Sequence, residues 1–177
     1  MIEHIRIPPD RIGSLIGVEG SVKEFIEENC EVALDIDSEN GNVKLESRGD
    51  PFKALRASDI IKAIAHGFSP QNASKLLEDD DLVFTIVDLS HIAESPKELV
   101  RIKGRIIGKD GSTRETIEEL TDSKISVYDE SIAIIGYPEK VKIVESAIDM
   151  LINGAPHGNV YSFLERKRRE EKLNTEF

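Results

Sequence analysis

Residues 11–28 (RIGSLIGVEGSVKEFIEE) overlie residues 102–119 (IKGRIIGKDGSTRETIEE) without a gap at an offset of 91, and nine of the eighteen aligned positions are identical. At roughly 6% identity per position chance gives about one match, so this is an internal repeat, and a repeat fixes the architecture before any single element does. The chain has to fold as two copies of one unit. Its 177 residues leave room for two small domains.

Each copy carries an Ile-Gly-Xaa-Xaa-Gly turn between two apolar-periodic segments, Ile16 to Gly20 in the first and Ile107 to Gly111 in the second. Two helices joined by so short a turn need glycine at its ends, because glycine accepts positive φ and leaves room for a second backbone to approach. Ser21 and Ser112 stand where an N-cap is expected for the second helix. The start of that helix is a partial positive pole that suits a phosphate. A lone Gly-Xaa-Xaa-Gly reads more simply as a tight αα connection; two copies in equivalent context favour the binding turn.

The elements around the turn repeat too. Residues 2–7 alternate like a strand, and Pro8-Pro9-Asp10 opens the first helix. A helix from Ser21 to about Asn29 follows, then strands near 32–36 and 43–46 around an Asn-Gly hairpin signal, then a helix from Asp50-Pro51 to about Ala65. The second half gives a strand over 82–88, a helix from Ser95-Pro96 to Ile107, a helix from Ser112 to about Leu120, strands over 124–128 and 132–135, and a helix over 138–152. Pro51 and Pro138 are 87 apart rather than 91, which places a four-residue shortening in the second hairpin loop. The fold class is α+β, with β-α-α-β-β-α in each half.

This order, with Ile-Gly-Xaa-Xaa-Gly between the first two helices, resembles the type I KH domain, a single-stranded nucleic-acid binder whose glycine loop clamps about four nucleotides of backbone. Two tandem copies with a C-terminal helix account for nearly the whole chain: a first KH domain over 1–68, a structured linker over 69–80, a second KH domain over 81–154, and a C-terminal turn and helix over 155–177. The run 104–111 (GRIIGKDG), Thr116-Ile-Glu-Glu and the stretch 151–161 (LINGAPHGNVY) resemble the tandem-KH ribosome-assembly proteins of the partner of Nob one family, above all their archaeal relatives. The Krr type is the near alternative. The resemblance implies an assembly factor of the small ribosomal subunit that binds single-stranded rRNA near the 3′ end. It also implies, as partners, the rRNA-maturing endonuclease and the alpha subunit of translation initiation factor two.

Net charge opposes an RNA binder, at −11 with pI about 4.9, where a basic footprint is expected. Local charge does not. Between residues 101 and 114 stand Arg101, Lys103, Arg105, Lys109 and Arg114 against Asp110 alone, whereas residues 10–23 offer Arg11 and Lys23 against Asp10 and Glu19. The RNA-binding set is therefore Gly108, Lys109, Asp110, Gly111, Lys103, Arg105, Arg114 and Tyr128. Gly17, Val18, Glu19 and Gly20 form a weaker, degenerate site, because unit charges of like sign a few ångströms apart repel by about 1 kcal/mol in water and more when desolvated.

Base recognition in KH domains uses an apolar groove, here matched by Ile106, Ile107, Ile117 and residues 125–128, although Ile107 and Ile117 read first as core. The terminal segment carries Arg166-Lys-Arg-Arg169, read equally as a phosphate track or a solvated helix face. The apolar side chains Val160, Tyr161, Phe163 and Leu164 give that helix a face to dock, most simply between the domains. The linker is ordered enough to predict a fixed arrangement of the two domains.

Other functions find less support. The run 104–112 lacks the Walker A spacing, the four histidines are scattered, and Asp79-Asp80-Asp81 reads as an acidic turn rather than a metal site. No cofactor, metal or catalysis is expected. The single Cys30 rules out an internal disulfide and fits a reducing cytoplasm; no apolar run reaches membrane-spanning length. The competing class is a KH-fold protein-interaction scaffold with little RNA binding of its own. The two copies are separated by charge reversal: Lys109→Asp is expected to lower RNA affinity strongly, and intact affinity in Lys109→Asp combined with its loss in Gly17→Asp would invert the assignment.

Overall fold

In a computed structural model, which describes residues 1–175, the chain divides into two compact units, Met1–Asp80 and Asp81–Phe177. Glu176 and Phe177, the end of the expected C-terminal segment, lie outside the described residues. The first unit runs β1 (Ile2–Arg6), α1 (Pro9–Ile16), α2 (Ser21–Cys30), β2 (Val32–Asp37), β3 (Asn42–Ser47), α3 (Pro51–Ala65) and α4 (Pro70–Ala73), continued by a 3-10 turn over Ser74–Leu77. The second runs β4 (Val83–Asp88), α5 (Pro96–Ile107), α6 (Ser112–Thr121), β5 (Lys124–Tyr128), β6 (Ser131–Gly136), α7 (Pro138–Ile152) and α8 (His157–Thr175). Each unit holds a three-stranded antiparallel sheet with its last strand in the middle, in the orders β1-β3-β2 and β4-β6-β5. The α+β reading and the β-α-α-β-β-α order hold in both halves.

Alternation decides which faces are buried. In β3, Val43 and Leu45 are fully buried while Asn42 and Lys44 are exposed, as a half-covered sheet requires. β6, the central strand of the second sheet, is different: every residue from Ser131 to Gly136 is buried. The core of the second unit joins Ile102 and Ile106 of α5, Ile117 of α6, Ile125 of β5, Ile132 and Ile134 of β6, and Val144, Ile148 and Leu151 of α7. Val160 and Leu164 of α8 belong to this same core, so the apolar face expected to dock between the domains is spent within the second. Cys30, the last residue of α2, is buried, and burial pushes its thiol up to about 11.

The four-residue slip is divided. The first hairpin loop, residues 38–41, is two residues longer than the second, residues 129–130, and the connection to the third helix is three residues (48–50) against one (137). The expectation that the hairpin absorbs the whole difference is corrected. The extra residues at the second place carry a helix cap, since Asp50 Oδ1 accepts from Phe52 N at 2.9 Å, whereas Tyr137 at the start of α7 caps nothing with its side chain.

The repeat is clearest in the backbone of the turns. Gly17 and Gly108 have φ 75° with ψ 178° and 175°, Glu19 and Asp110 have φ 54° and 55°, and Gly20 and Gly111 have φ 78° and 77°. The two glycines of a turn are needed for different reasons. The first lies in a region open essentially to glycine alone, and a Cβ on it would stand 2.8 Å from Val22 N in one copy and 2.7 Å from Thr113 N in the other. The second is left-handed, with no atom within 4 Å of such a Cβ at Gly20 and nothing closer than 3.7 Å at Gly111. Gly108→Ala is therefore expected to cost about 2–4 kcal/mol, strain in a region closed to alanine plus a backbone clash, and Gly111→Ala only about 1–2 kcal/mol. Thermal unfolding of the two variants checks this, and equal losses would contradict it.

Candidate nucleic-acid interface

Ser112 is already helical (φ −63°, ψ −37°), so the serines do not cap the second helices; Gly111, left-handed, holds the cap position, and Gly20 does the same for α2. The cap residue of each helix is thus a glycine, with no side chain to bond the helix's first amides. A serine inside the helix has its hydroxyl beyond the amides it was expected to satisfy, so the start of α6 carries a positive pole with no serine cap over it. Lys109 and Asp110 are both exposed on the turn in front of them. At the same place in the first domain stand Val18, 82% exposed, and Glu19.

The five cations of residues 101–114 divide by what holds them. Arg105 Nε donates to Leu151 O at 3.0 Å and its Nη2 to Ala155 O, so this guanidinium closes the C-terminus of α7. Arg114 Nη1 donates to Glu118 Oε1 at 2.8 Å, and Arg101 lies 3.6 Å from Glu98. Among the described residues Lys103, half-buried, and Lys109 enter no ion pair or hydrogen bond. The expected phosphate-facing set is thus split, with Arg105 and Arg114 given intramolecular work and the two lysines left available.

The same work is done in the first domain by a residue at a different position. Arg11 Nε donates to Ile64 O at 2.8 Å and Nη2 to Phe68 O at 2.7 Å. Ile64 and Phe68 are the counterparts of Leu151 and Ala155 at the offset of 87, but Arg11 is aligned with Ile102, one helical turn before Arg105. A second strut is conserved between copies in place and in partner: Leu34 N donates to Glu27 Oε2 at 2.9 Å, and Ile125 N to Glu118 Oε2 at 2.8 Å. Glu27 and Glu118 tie the helix after each turn to the strand that follows it. Sequence reasoning missed both struts, although identical glutamates inside the repeat were the available signal for the second.

Of the expected groove, Ile106, Ile117 and Ile125 are core residues, while Ile107, Val127 and Tyr128 are half-buried. Ser126 is half-buried as well; Val127 packs against the core on the side of Ile125, and its strand neighbours Ser126 and Tyr128 point to the other face. The C-terminal helix braces the same region: Tyr161 Oη lies 3.1 Å from Thr113 Oγ1, directly behind Gly108, and His157 Nε2 lies 3.0 Å from Arg105 O. In the basic run of α8, Arg166 and Lys167 sit over the Phe163 ring at 5.7 and 5.9 Å, and Arg168 and Arg169 are exposed. Asp79 and Asp80 offer their backbone carbonyls to Arg56.

Comparison with known proteins agrees with this geometry. The KH domain family matches residues 2–63, and the eukaryotic-type KH domain (type I) of the second PNO1 position matches residues 83–169. A KH domain-containing protein of Methanocaldococcus jannaschii is 42% identical over 97% of this chain and 76% of its own length. The RNA-binding protein pno1 of Dictyostelium discoideum is 30% identical over 92% of this chain and 70% of its own. A chain in the crystal structure of the a/eIF2alpha-aDim2p-rRNA complex from Pyrococcus horikoshii superposes with a TM-score of 0.90 at 41% identity, covering 96% of this chain and 95% of that one. With two KH domains in tandem and relatives this similar along nearly its whole length, the chain belongs to the PNO1 family of KH-domain ribosome-assembly proteins.

Proposed function

We propose that the protein is a single-stranded RNA-binding assembly factor of the small ribosomal subunit, gripping rRNA near its 3′ end chiefly through the second KH domain. One observation carries this reading: the exposed Lys109 sits in a glycine turn directly before a helix N-terminus whose cap residue is itself glycine. Such an end attracts an anion, and a lysine beside it neutralises the phosphate as the backbone comes close. Gly108, Gly111 and Lys103 complete the phosphate side; Ile107 and Val127 offer an apolar side to bases, and Tyr128 lies on the opposite face of its strand. The first turn, with Val18 and Glu19 in place of Lys109 and Asp110, binds more weakly.

The Pyrococcus horikoshii relative stands in a complex with rRNA and a/eIF2alpha, which supports the same two partners for this chain, with the rRNA-maturing endonuclease a third. The protein works by binding and positioning RNA, without catalysis or cofactor, in the cytoplasm. No helix among the described residues is long and apolar enough to cross a membrane.

The test is binding of the purified chain to a short RNA copying the 3′ end of the small-subunit rRNA, against a scrambled RNA, over a range of salt. Preference for the native sequence is expected, with log affinity falling by about 0.7 per neutralised phosphate against log salt. Lys109→Asp is expected to weaken binding about tenfold or more and to flatten that slope by about one phosphate. Glu19→Lys is expected to strengthen it. Binding that is absent at modest salt, or indifferent to Lys109→Asp, would favour the protein-scaffold reading.

A further inference from the structure

The repeat extends beyond the sheet and its three helices. Residues 51–77 overlie residues 138–164 without a gap at the offset of 87, and Gly67 and Gly154, with φ of 98° and 90°, mark the same helix stop. α4 and its 3-10 extension are therefore the counterpart of the first two turns of α8. Ala73 and Val160 share a position, and both are fully buried.

The two copies differ in how they close the space beside this last helix. In the second domain the ring of Tyr161 spans from α8 to α6 and its hydroxyl meets Thr113. Its counterpart in the first domain is Ser74, and the counterpart of Thr113 is Val22. There the structure has a pocket lined by Val22, Phe25 and Ile26 of α2 and by Ile60 and Ile64 of α3, with Ser21, Pro70, Gln71 and Ser74 completing its wall. It is an open cleft of about 210 Å³, with an apolar floor and polar groups at its wall. One aromatic side chain fits, as the second domain demonstrates with its own.

We propose that this pocket is a docking site for an aromatic side chain carried on a basic segment of a partner protein. Charge decides the kind of partner. Glu24 and Glu28 are exposed on α2, each three residues beyond a pocket residue, Ser21 and Phe25, and so lie beside the opening. Lys23 on the same helix is paired with Glu27 at 3.7 Å. Residues 1–80 hold sixteen carboxylates against nine lysines and arginines. A rim of this sign repels phosphate and attracts lysine or arginine on either side of the inserted ring. Buried aromatic anchors of this kind carry a large share of the energy of protein interfaces.

The experiment uses the full chain, labelled with nitrogen-15, and a soluble peptide with one tyrosine between two pairs of arginines, beside the same peptide with alanine in place of tyrosine. Saturable shifts are expected at Val22, Phe25, Ile26 and Ser74, about tenfold weaker with the alanine peptide, the loss of one anchor. Ser74→Tyr fills the pocket from within and is expected to abolish the binding while its spectrum stays dispersed. Phe25→Ala, at a side chain 43% exposed, is expected to weaken it and decides the matter if Ser74→Tyr does not fold. Equal binding of the two peptides, shifts scattered over the acidic surface, or undiminished binding in the folded variants overturns the proposal. So does competition by a single-stranded RNA, which would give the pocket to nucleic acid. RNA affinity measured on the same Ser74→Tyr sample is expected to be unchanged, which separates this test from that of the RNA clamp.

Discussion

Everything that gives this molecule its interface rests on one close approach, the first glycine of each turn against the backbone of the helix that follows. At Gly108 a Cβ would sit 2.7 Å from Thr113 N, and at Gly17 one would sit 2.8 Å from Val22 N. Because this glycine can adopt φ 75° with ψ near 180°, the first helix stops abruptly and the second starts at once. Two consecutive left-handed residues, the second a glycine at the cap position, then deliver the chain into the helix. The positive pole, the exposed tip residue and the hinge between the helices are consequences of that one permitted conformation. The struts from Glu27 and Glu118 to the next strand hold the second helix of each pair in place behind it.

What the sequence made legible follows from this. Glycine, proline and alternating aliphatics act locally, so the turns, the helix starts at Pro51, Pro96 and Pro138 and the sheet strands were readable within a residue or two. Serine after glycine misled, because a cap is defined by backbone angles, and the left-handed glycine had already taken the cap position. Arg105 misled for another reason. Its acceptors, Leu151 O and Ala155 O, lie 46 and 50 residues away in the chain, and no local pattern separates an arginine facing phosphate from one closing a distant helix. The first domain uses Arg11 for the same acceptors from a position one turn earlier, so even the repeat conceals the equivalence. The groove was overestimated because Ile106, Ile117 and Ile125 are needed by the core of so small a domain.

The two copies keep the frame and differ at its accessories. The positions that close the fold, Ile26 and Ile117, Ile64 and Leu151, Ala73 and Val160, are buried in both. The positions at the rim have changed character: Lys109 against Val18, Thr113 against Val22, Tyr161 against Ser74. Each exchange moves the second domain toward a braced, cationic turn and the first toward an apolar tip with an open pocket. At the tip, where Lys109 and Val18 are exposed, such an exchange costs little stability while it changes what the surface attracts; Thr113 is buried, and its exchange for Val22 goes with that of Tyr161 for Ser74.

An acidic chain with a basic task is no contradiction once the carboxylates are located. Glu118 spends one oxygen on Arg114 and the other on Ile125 N; Glu31 accepts from Asp50 N and pairs with Lys53; Asp37 accepts from Glu39 N and Asn40 N across the first hairpin. These hydrogen bonds hold the Glu31 and Asp37 carboxyls below their ordinary range, so the negative charge is fixed where the backbone needs acceptors. What a phosphate meets at a turn is set by groups within a Debye length of about 10 Å at ordinary salt, and the second turn exposes Lys109 beside Asp110 where the first exposes Val18 beside Glu19. Net charge sums over the whole chain, while the field that recognises RNA is local. The same locality explains why one fold can present a cationic turn in one domain and an acidic rim in the other.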